Sequence, residues 1–289
     1  MLPFARKVRL LILLMIYLLW LTACSGGGGG DAGGSGPPGT ITVYVSDAKP
    51  VLPDGTTNLF ITFDELSVHK SGGDWVSLPL VTSPYTIDLL QFSDGRSTEL
   101  APPTILSDGK YTQIRLQVSN ASIRFNNGKE SPVKIPSSNL KTDKNFDFNV
   151  QYPSAVDIVI DFDLSQSLVV RGQGSYQLKP VLHINETNQA ATIVGYIDNF
   201  SFVDNQDAVV TVYAWANQEE YTRIAVSKSN LGSPTDFSIY WLVPNQSYNI
   251  EVDVDPDSGN GSEYSEDVSS GTLKPGTTFE LNSGNPIEI

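Results

Sequence analysis

Residues 155–164 read AVDIVIDFDL. Ile158, Ile160, Phe162 and Leu164 fall on one parity, and Asp157, Asp161 and Asp163 fall on the other. A strand sends alternate side chains to opposite faces, so this text describes a β-strand with an aliphatic face and a carboxylate face. The same period of two recurs on both sides. Upstream it appears in ITVYVSDA from Ile41, LFITFDELSVHK (59–70), WVSLPL (75–80) and YTIDLL (85–90). YTQIRLQVSNASIRF (111–125) is long enough for two strands or one bent strand, and VKIP (133–136) adds a short one. YQLKPVLHI (176–184) carries Pro180, which cannot donate to a ladder and belongs at an edge, an end or a bulge. No apolar pattern of period 3.6 lasts long enough for a substantial helix.

Downstream, NETNQA (185–190) loosens the composition and a second set begins. Its members are ATIVGYI (191–197), AVVTVYAWA (208–216), YTRIAVS (221–227), FSIYWLV (237–243), YNIEVDVD (248–255) and TTFEL (277–281). The expected fold is all-β, with two β-sandwich-like domains over 40–187 and 188–289. Each is of ordinary domain size.

The chain before Thr40 is different. Arg6, Lys7 and Arg9 precede a 12-residue apolar run from Leu10 to Leu21, well short of the roughly 20 residues that span a bilayer. Leu21-Thr22-Ala23-Cys24 follows, and then SGGGGGDAGGSGPPG. A basic head, an apolar middle and small residues before a cut form the export pattern. The LTAC text resembles a bacterial lipobox. That resemblance implies a signal peptide over 1–23, a lipid-bearing Cys24 at the new N-terminus, and a flexible tether over 24–39. Ser25, standing where an inner-membrane signal would carry aspartate, points by the same resemblance to the cell outer membrane. Gly-rich chain of this length reaches about 20 Å.

Removing residues 1–23 takes three of the 18 basic side chains and none of the 32 acidic ones, so the net charge moves from −14 to −17. So acidic a body disfavours nucleic acid and anionic phospholipid as partners. One cysteine excludes a disulfide framework and a cysteine-based zinc site.

Several blocks carry a family resemblance. GTITVYVSDA, YTIDLLQFSDG, DGKYTQIRLQVSNASI and FDLSQSLVVRGQGSYQLKPVLHI occur in that order within 39–185. This segment resembles the bacterial lipoprotein module called domain of unknown function 4382, which brings no activity with it. Residues 191–289 resemble a transthyretin-like or carboxypeptidase-regulatory-like β-sandwich through FSIYWLVPNQSYNIEV (237–252), with Pro244-Asn245 in place of the usual Pro-Gly turn.

The chemistry-bearing residues are few. Paired carboxylates such as Asp161 and Asp163 could serve a glycosidase, but a solvated or hydrogen-bonded strand face writes the same text. Asp253, Asp255 and Asp257 have the one-three-five spacing of a calcium loop. Ser258 and Tyr264 then occupy the places of the required Gly and Glu, and starting from Asp255 puts Asn260 sixth, so the EF-hand reading fails. A weaker calcium site stays an alternative to a solvated hairpin loop. His69 and His183, the only histidines, would need a carboxylate to complete a zinc site, and ordinary strand positions explain both. There is no GxSxG elbow, P-loop or dinucleotide fingerprint. Trp75 follows Gly72-Gly73-Asp74 at a turn edge. Trp215 and Trp241 sit in apolar strands that suit a core role, although Tyr213 and Trp215 share the parity opposite Val210, Val212, Ala214 and Ala216.

These readings converge on a non-enzymatic, membrane-anchored envelope or surface lipoprotein with no catalytic residue, cofactor or metal ligand. Its partners would be membrane lipid through Cys24 and an unidentified envelope protein or glycan. The alternatives are a carbohydrate-active enzyme using paired carboxylates and a calcium-dependent carbohydrate-binding module.

Overall fold

The computed structural model describes residues 36–141, 146–198, 210–226, 235–254, 256, 259 and 261–289. Cys24 and the export segment lie outside them, as do Asp255, Asp257, Ser258 and Asn260 of the acidic loop. Ser35–Ile289 form one compact unit.

The strands of its first part are β1 (Gly39–Ser46), β2 (Thr56–Lys70), β3 (Trp75–Leu78), β4 (Tyr85–Asp88), β5 (Ser97–Leu106), β6 (Gly109–Phe125), β7 (Glu130–Lys134), β8 (Asn139–Lys141), β9 (Phe148–Val150), β10 (Ala155–Phe162), β11 (Leu168–Arg171), β12 (Ser175–Leu178) and β13 (Leu182–Glu186). A one-turn helix, α1 (Leu164–Ser167), follows β10. One sheet runs β13-β10-β1-β5, and β1 pairs in parallel with β10 and antiparallel with β5. The other is built on the long β2–β6 ladder in the order β11-β12-β7-β6-β2-β3.

The aliphatic parity of the opening quotation faces inward. Ile158, Ile160 and Phe162 join Ile41, Val43 and Val45 from β1 and Leu59, Ile61 and Phe63 from β2 in one core, with Phe63 and Phe162 edge to face at 6.5 Å. Each fully buried side chain of this size contributes about 1.5–3 kcal/mol, which is the source of stability left to a body without disulfides.

The 111–125 stretch is a single bent strand: Thr62 pairs with Asn120 and Phe63 with Val118, so Ser119 is the extra residue of a bulge. The 176–184 stretch instead breaks at Pro180, placing β12 in one sheet and β13 in the other. β5 was not anticipated from STELAPPTIL, whose Pro102-Pro103 suits only the edge it occupies.

The second part contains β14 (Ala191–Asp198), β15 (Val210–Ala216), β16 (Glu219–Val226), β17 (Thr235–Leu242), β18 (Tyr248–Val254), β19 (Tyr264–Val268), β20 (Thr278–Glu280) and β21 (Ile287–Glu288). β17-β14-β20 with β21 form one four-stranded sheet, and β16-β15-β18-β19 form the other. Ile193, Ile239, Val212, Ile250 and Val252 belong to a separate core between them. The β15–β16 turn, Asn217-Gln218, has φ of 54° and 67°, the left-handed pair that a two-residue hairpin of matching twist requires. All the sheets are sandwich-like arrangements of strands, and among the described residues no helix is long and apolar enough to cross a membrane.

Candidate functional site

The carboxylate parity of β10 divides along its length. Asp157 is exposed, whereas Asp161 is 3% and Asp163 0% exposed. A solvated face describes only the first of them. The end of β10 is covered by the chain after β1, by α1 and by β16 of the second core. Ala225 N–H donates to the Lys49 carbonyl at 3.0 Å. Ser165 Oγ donates to the Arg223 carbonyl at 3.0 Å, and Arg223 Nη2 returns a bond to the Ser165 carbonyl at 3.0 Å. Gln166 Nε2 reaches the Tyr221 carbonyl at 2.8 Å.

Two bulges aim the second core at this seam. Ala214 pairs with Thr222 and Trp215 with Glu220, which makes Tyr221 the extra residue of β16. Ala191 pairs with Leu242 and Ile193 with Ile239, so Tyr240 and Trp241 together oppose Thr192. Trp241 has φ of 60°, a conformation that a bulky side chain adopts only when its surroundings hold it there. Its indole N–H donates to Ser46 Oγ at 2.9 Å, and its carbonyl accepts from Asn185 Nδ2 at 2.5 Å. Tyr240 lies over the Asp94-Gly95 turn.

The acids beneath are used structurally. Asp163 caps α1, with Oδ1 accepting from Gln166 N–H at 3.0 Å and Oδ2 from Gln166 Nε2 at 2.9 Å. Asp47, 1% exposed, accepts Leu164 N–H at 3.1 Å through Oδ1. Asp47 Oδ2 and Asp161 Oδ1 accept no hydrogen bond from the protein. Burial pushes the Asp161 carboxyl up to about 7, against a lowering pull from His183 and with a further push from Asp163. Burial, then the neighbouring Asp161, raises Asp47 well above the carboxylate range.

His183 stacks on Tyr221 at 4.0 Å, with Nε2 3.8 Å from Asp163 Oδ2. Above this pair opens a cavity of about 670 Å³, where His183 and Asn185 face Glu219, Glu220, Tyr221 and Gln246. His69 is on the other sheet, bonded to Thr112 and tilted against the Trp75 ring at 5.1 Å, over which Arg115 lies at 3.7 Å. The two histidines are therefore not brought together. Among the described residues no group of three or more His, Cys, Asp or Glu side chains could hold a metal ion. Asp47, Tyr221 and the Trp241 bulge escaped the sequence reading; the one signal for Asp47 was its place in the VSDA block.

A second cavity, of about 620 Å³, lies at the β15–β16 hairpin end of the outer face of β15. Tyr213 and Trp215 stack there at 5.9 Å, half-buried and outside the core that was expected for Trp215. The Trp215 N–H donates to Glu251 Oε2 at 2.9 Å, which fixes the ring. Asn217, Ser247, Asn249 and Asp267 share the cavity wall.

An all-β body with two cores and a bulge-built seam is the class of structure that these residues define. Residues 38–180 match the family model described as Domain of unknown function (DUF4382), and this N-terminal segment is a DUF4382 segment. No curated protein matches the chain. Similar solved structures include the Bacillus anthracis TIE protein, at 11% identity and a TM-score of 0.21, covering 87% of this chain. The chain spans 35% of the length of that protein. The fimbrial anchor protein Mfa2 from Porphyromonas gingivalis is 9% identical with a TM-score of 0.19, covering 79% of this chain and 82% of its own. The pilus adhesin SpaC from Lactobacillus rhamnosus GG is 11% identical with a TM-score of 0.19, covering 81% of this chain and 38% of its own.

Proposed function

We propose that this chain is a non-enzymatic lipoprotein of the cell outer membrane that displays its β body for contact with a protein or glycan. Lipid on Cys24 holds it, residues 24–39 give it reach, and the β domains over 40–187 and 188–289 present the contact surface. The observation that carries the reading is the division of labour among polar groups. The buried carboxylates cap α1 and line the seam, while the accessible cavity presents an indole beside amide, hydroxyl and carboxylate groups. An aromatic face with flanking polar groups suits an amphipathic ligand such as a sugar. Residues 191–289 form, in this proposal, a transthyretin-like or carboxypeptidase-regulatory-like sandwich, a reading supported by two four-stranded sheets about one core.

Replacing Cys24 with Ala tests the anchor. Labelled fatty acid should enter the wild type only, and the variant should leave the membrane fraction. A wild type without lipid overturns the reading. A glycan array on the compact unit Ser35–Ile289, with and without calcium, tests the contact. Uniform absence of binding removes glycans and leaves a protein partner.

A further inference from the structure

Three acids are buried at the seam without a matching set of cations. Asp47, Asp161 and Asp163 are each no more than 3% exposed. Asp161 and Asp163 lie at and just beyond the end of β10, Asp47 follows β1, and α1 packs beside them with no charged residue of its own. β13 contributes His183, whose Nε2 is 3.8 Å from Asp163 and donates no hydrogen bond. β16 contributes Tyr221, Glu220 and Arg223, and β18 contributes Tyr248 edge-on to Tyr221 at 5.3 Å. Arg223 engages other groups, with Nε 3.4 Å from Glu220 Oε1 and Nη2 on the Ser165 carbonyl. Asp161 is helped by the Ala48 N–H and by the pull of His183, and Asp47 by the Leu164 N–H, but one oxygen of each carboxylate is enclosed in the seam and accepts no bond from the protein. Taking such a charge out of water costs several kcal/mol unless the group keeps its proton.

We propose that the seam is a proton-gated latch: it closes with Asp47 and Asp161 neutral, and their ionisation loosens the second core from the first. Opening returns both groups to solvent, where an aspartate ionises near pH 4. Burial raises both in the closed form, Asp161 to about 7 and Asp47 further. The closed seam therefore binds more protons than the open one through this range, and opening becomes easier as pH rises from about 4 to about 7. Mild acid holds the body rigid, and mild alkali frees the bonds that cross the seam. This goes beyond the proposed surface role and does not depend on it.

Hydrogen exchange on Ser35–Ile289, corrected for intrinsic exchange rates, reads the latch through two groups bonded across the seam. These are the Ala225 amide, on the Lys49 carbonyl, and the Trp241 indole N–H, on Ser46. Their opening constant should rise roughly ten- to a hundredfold between pH 5 and 8, while amides inside either core, such as Val212 and Leu116, change far less. Asp161→Asn should reduce the rise, Asp47→Asn added to it should abolish the rise, and His183→Gln should keep it. A flat wild-type profile overturns the proposal, as does a rise undiminished in Asp161→Asn or one that vanishes in His183→Gln. If Asp161→Asn does not fold, Asp47→Asn takes its place, because an Asn oxygen can still accept Leu164 N–H. If neither variant folds, His183→Gln and the wild type decide, a rise in both supporting the latch.

Discussion

Trp241 and Ser46 are 195 residues apart in the chain, and the indole N–H of one meets the hydroxyl oxygen of the other at 2.9 Å. Ser46 in turn donates to the Arg96 carbonyl at 2.8 Å. The bond ties the second core to the end of β1, and the bulge that makes it possible holds Trp241 in a left-handed conformation. Trp241→Phe keeps a ring there but leaves Ser46 without its donor. The expected cost is about 1 kcal/mol, or about 2–4 °C in thermal midpoint for a body of this size. The shift should nearly vanish in the Ser46→Ala background, where no partner remains to lose. Calorimetry of the four proteins checks it.

Gly95 supports the same contact from the other side. Its φ is 72°, and a Cβ there would lie 2.7 Å from the Tyr240 ring. Gly95→Ala therefore carries two penalties: a left-handed alanine, at about 1 kcal/mol, and an overlap with the ring worth about 1–3 kcal/mol more. Shortening the ring in Tyr240→Ser should remove the second penalty and leave the first. A double-mutant cycle by urea denaturation separates them. Equal costs of Gly95→Ala in both backgrounds would show that the ring does not press on the turn.

Strand parity carried much of the molecule in one dimension. It grouped Val210, Val212, Ala214 and Ala216 on one face, which the structure buries, whereas Trp215, expected in the core, stands half-buried on the opposite face with Tyr213. Parity says which face a residue is on, not what covers that face. The cover over Asp161 and Asp163 comes from Asp47, more than a hundred residues earlier, and from β16, nearly sixty residues later. Tyr221 and Trp241 reach the seam through bulges, which interrupt the alternation that the eye follows. β19 went unread for a related reason, since YSEDV has hardly any apolar text and is held by pairing with β18.

Asp163 separates capping from charge. Asp163→Ala removes the acceptor for Gln166 N–H and for Gln166 Nε2 inside a fully buried site, and should cost about 2–4 kcal/mol. Asp163→Asn keeps one acceptor and removes a negative charge from beside Asp47 and Asp161, so its cost should be well under half of that at pH 8. At pH 5, where more of the neighbouring acid is protonated, the relief shrinks and Asn should lose more of its advantage over Ala. Denaturation at the two pH values checks the ordering.

Trp215 is the residue on which the proposed glycan contact turns, and its substitutions divide packing from recognition. Trp215→Ala removes a half-buried ring from the outer face of β15 and frees Glu251 Oε2 from its indole donor, without touching the Val212–Ile250 core beneath. The body should stay folded, with a loss of about 1–2 kcal/mol, because little of the ring's area is buried against aliphatic side chains. Retention on any glycan that binds the wild type should disappear. Trp215→Phe keeps an aromatic face but loses the bond that orients it, so affinity should fall about tenfold, the equivalent of one hydrogen bond. Isothermal titration with the array-positive glycan checks both values. Unchanged binding in Trp215→Ala would move the contact away from the β15–β16 hairpin altogether.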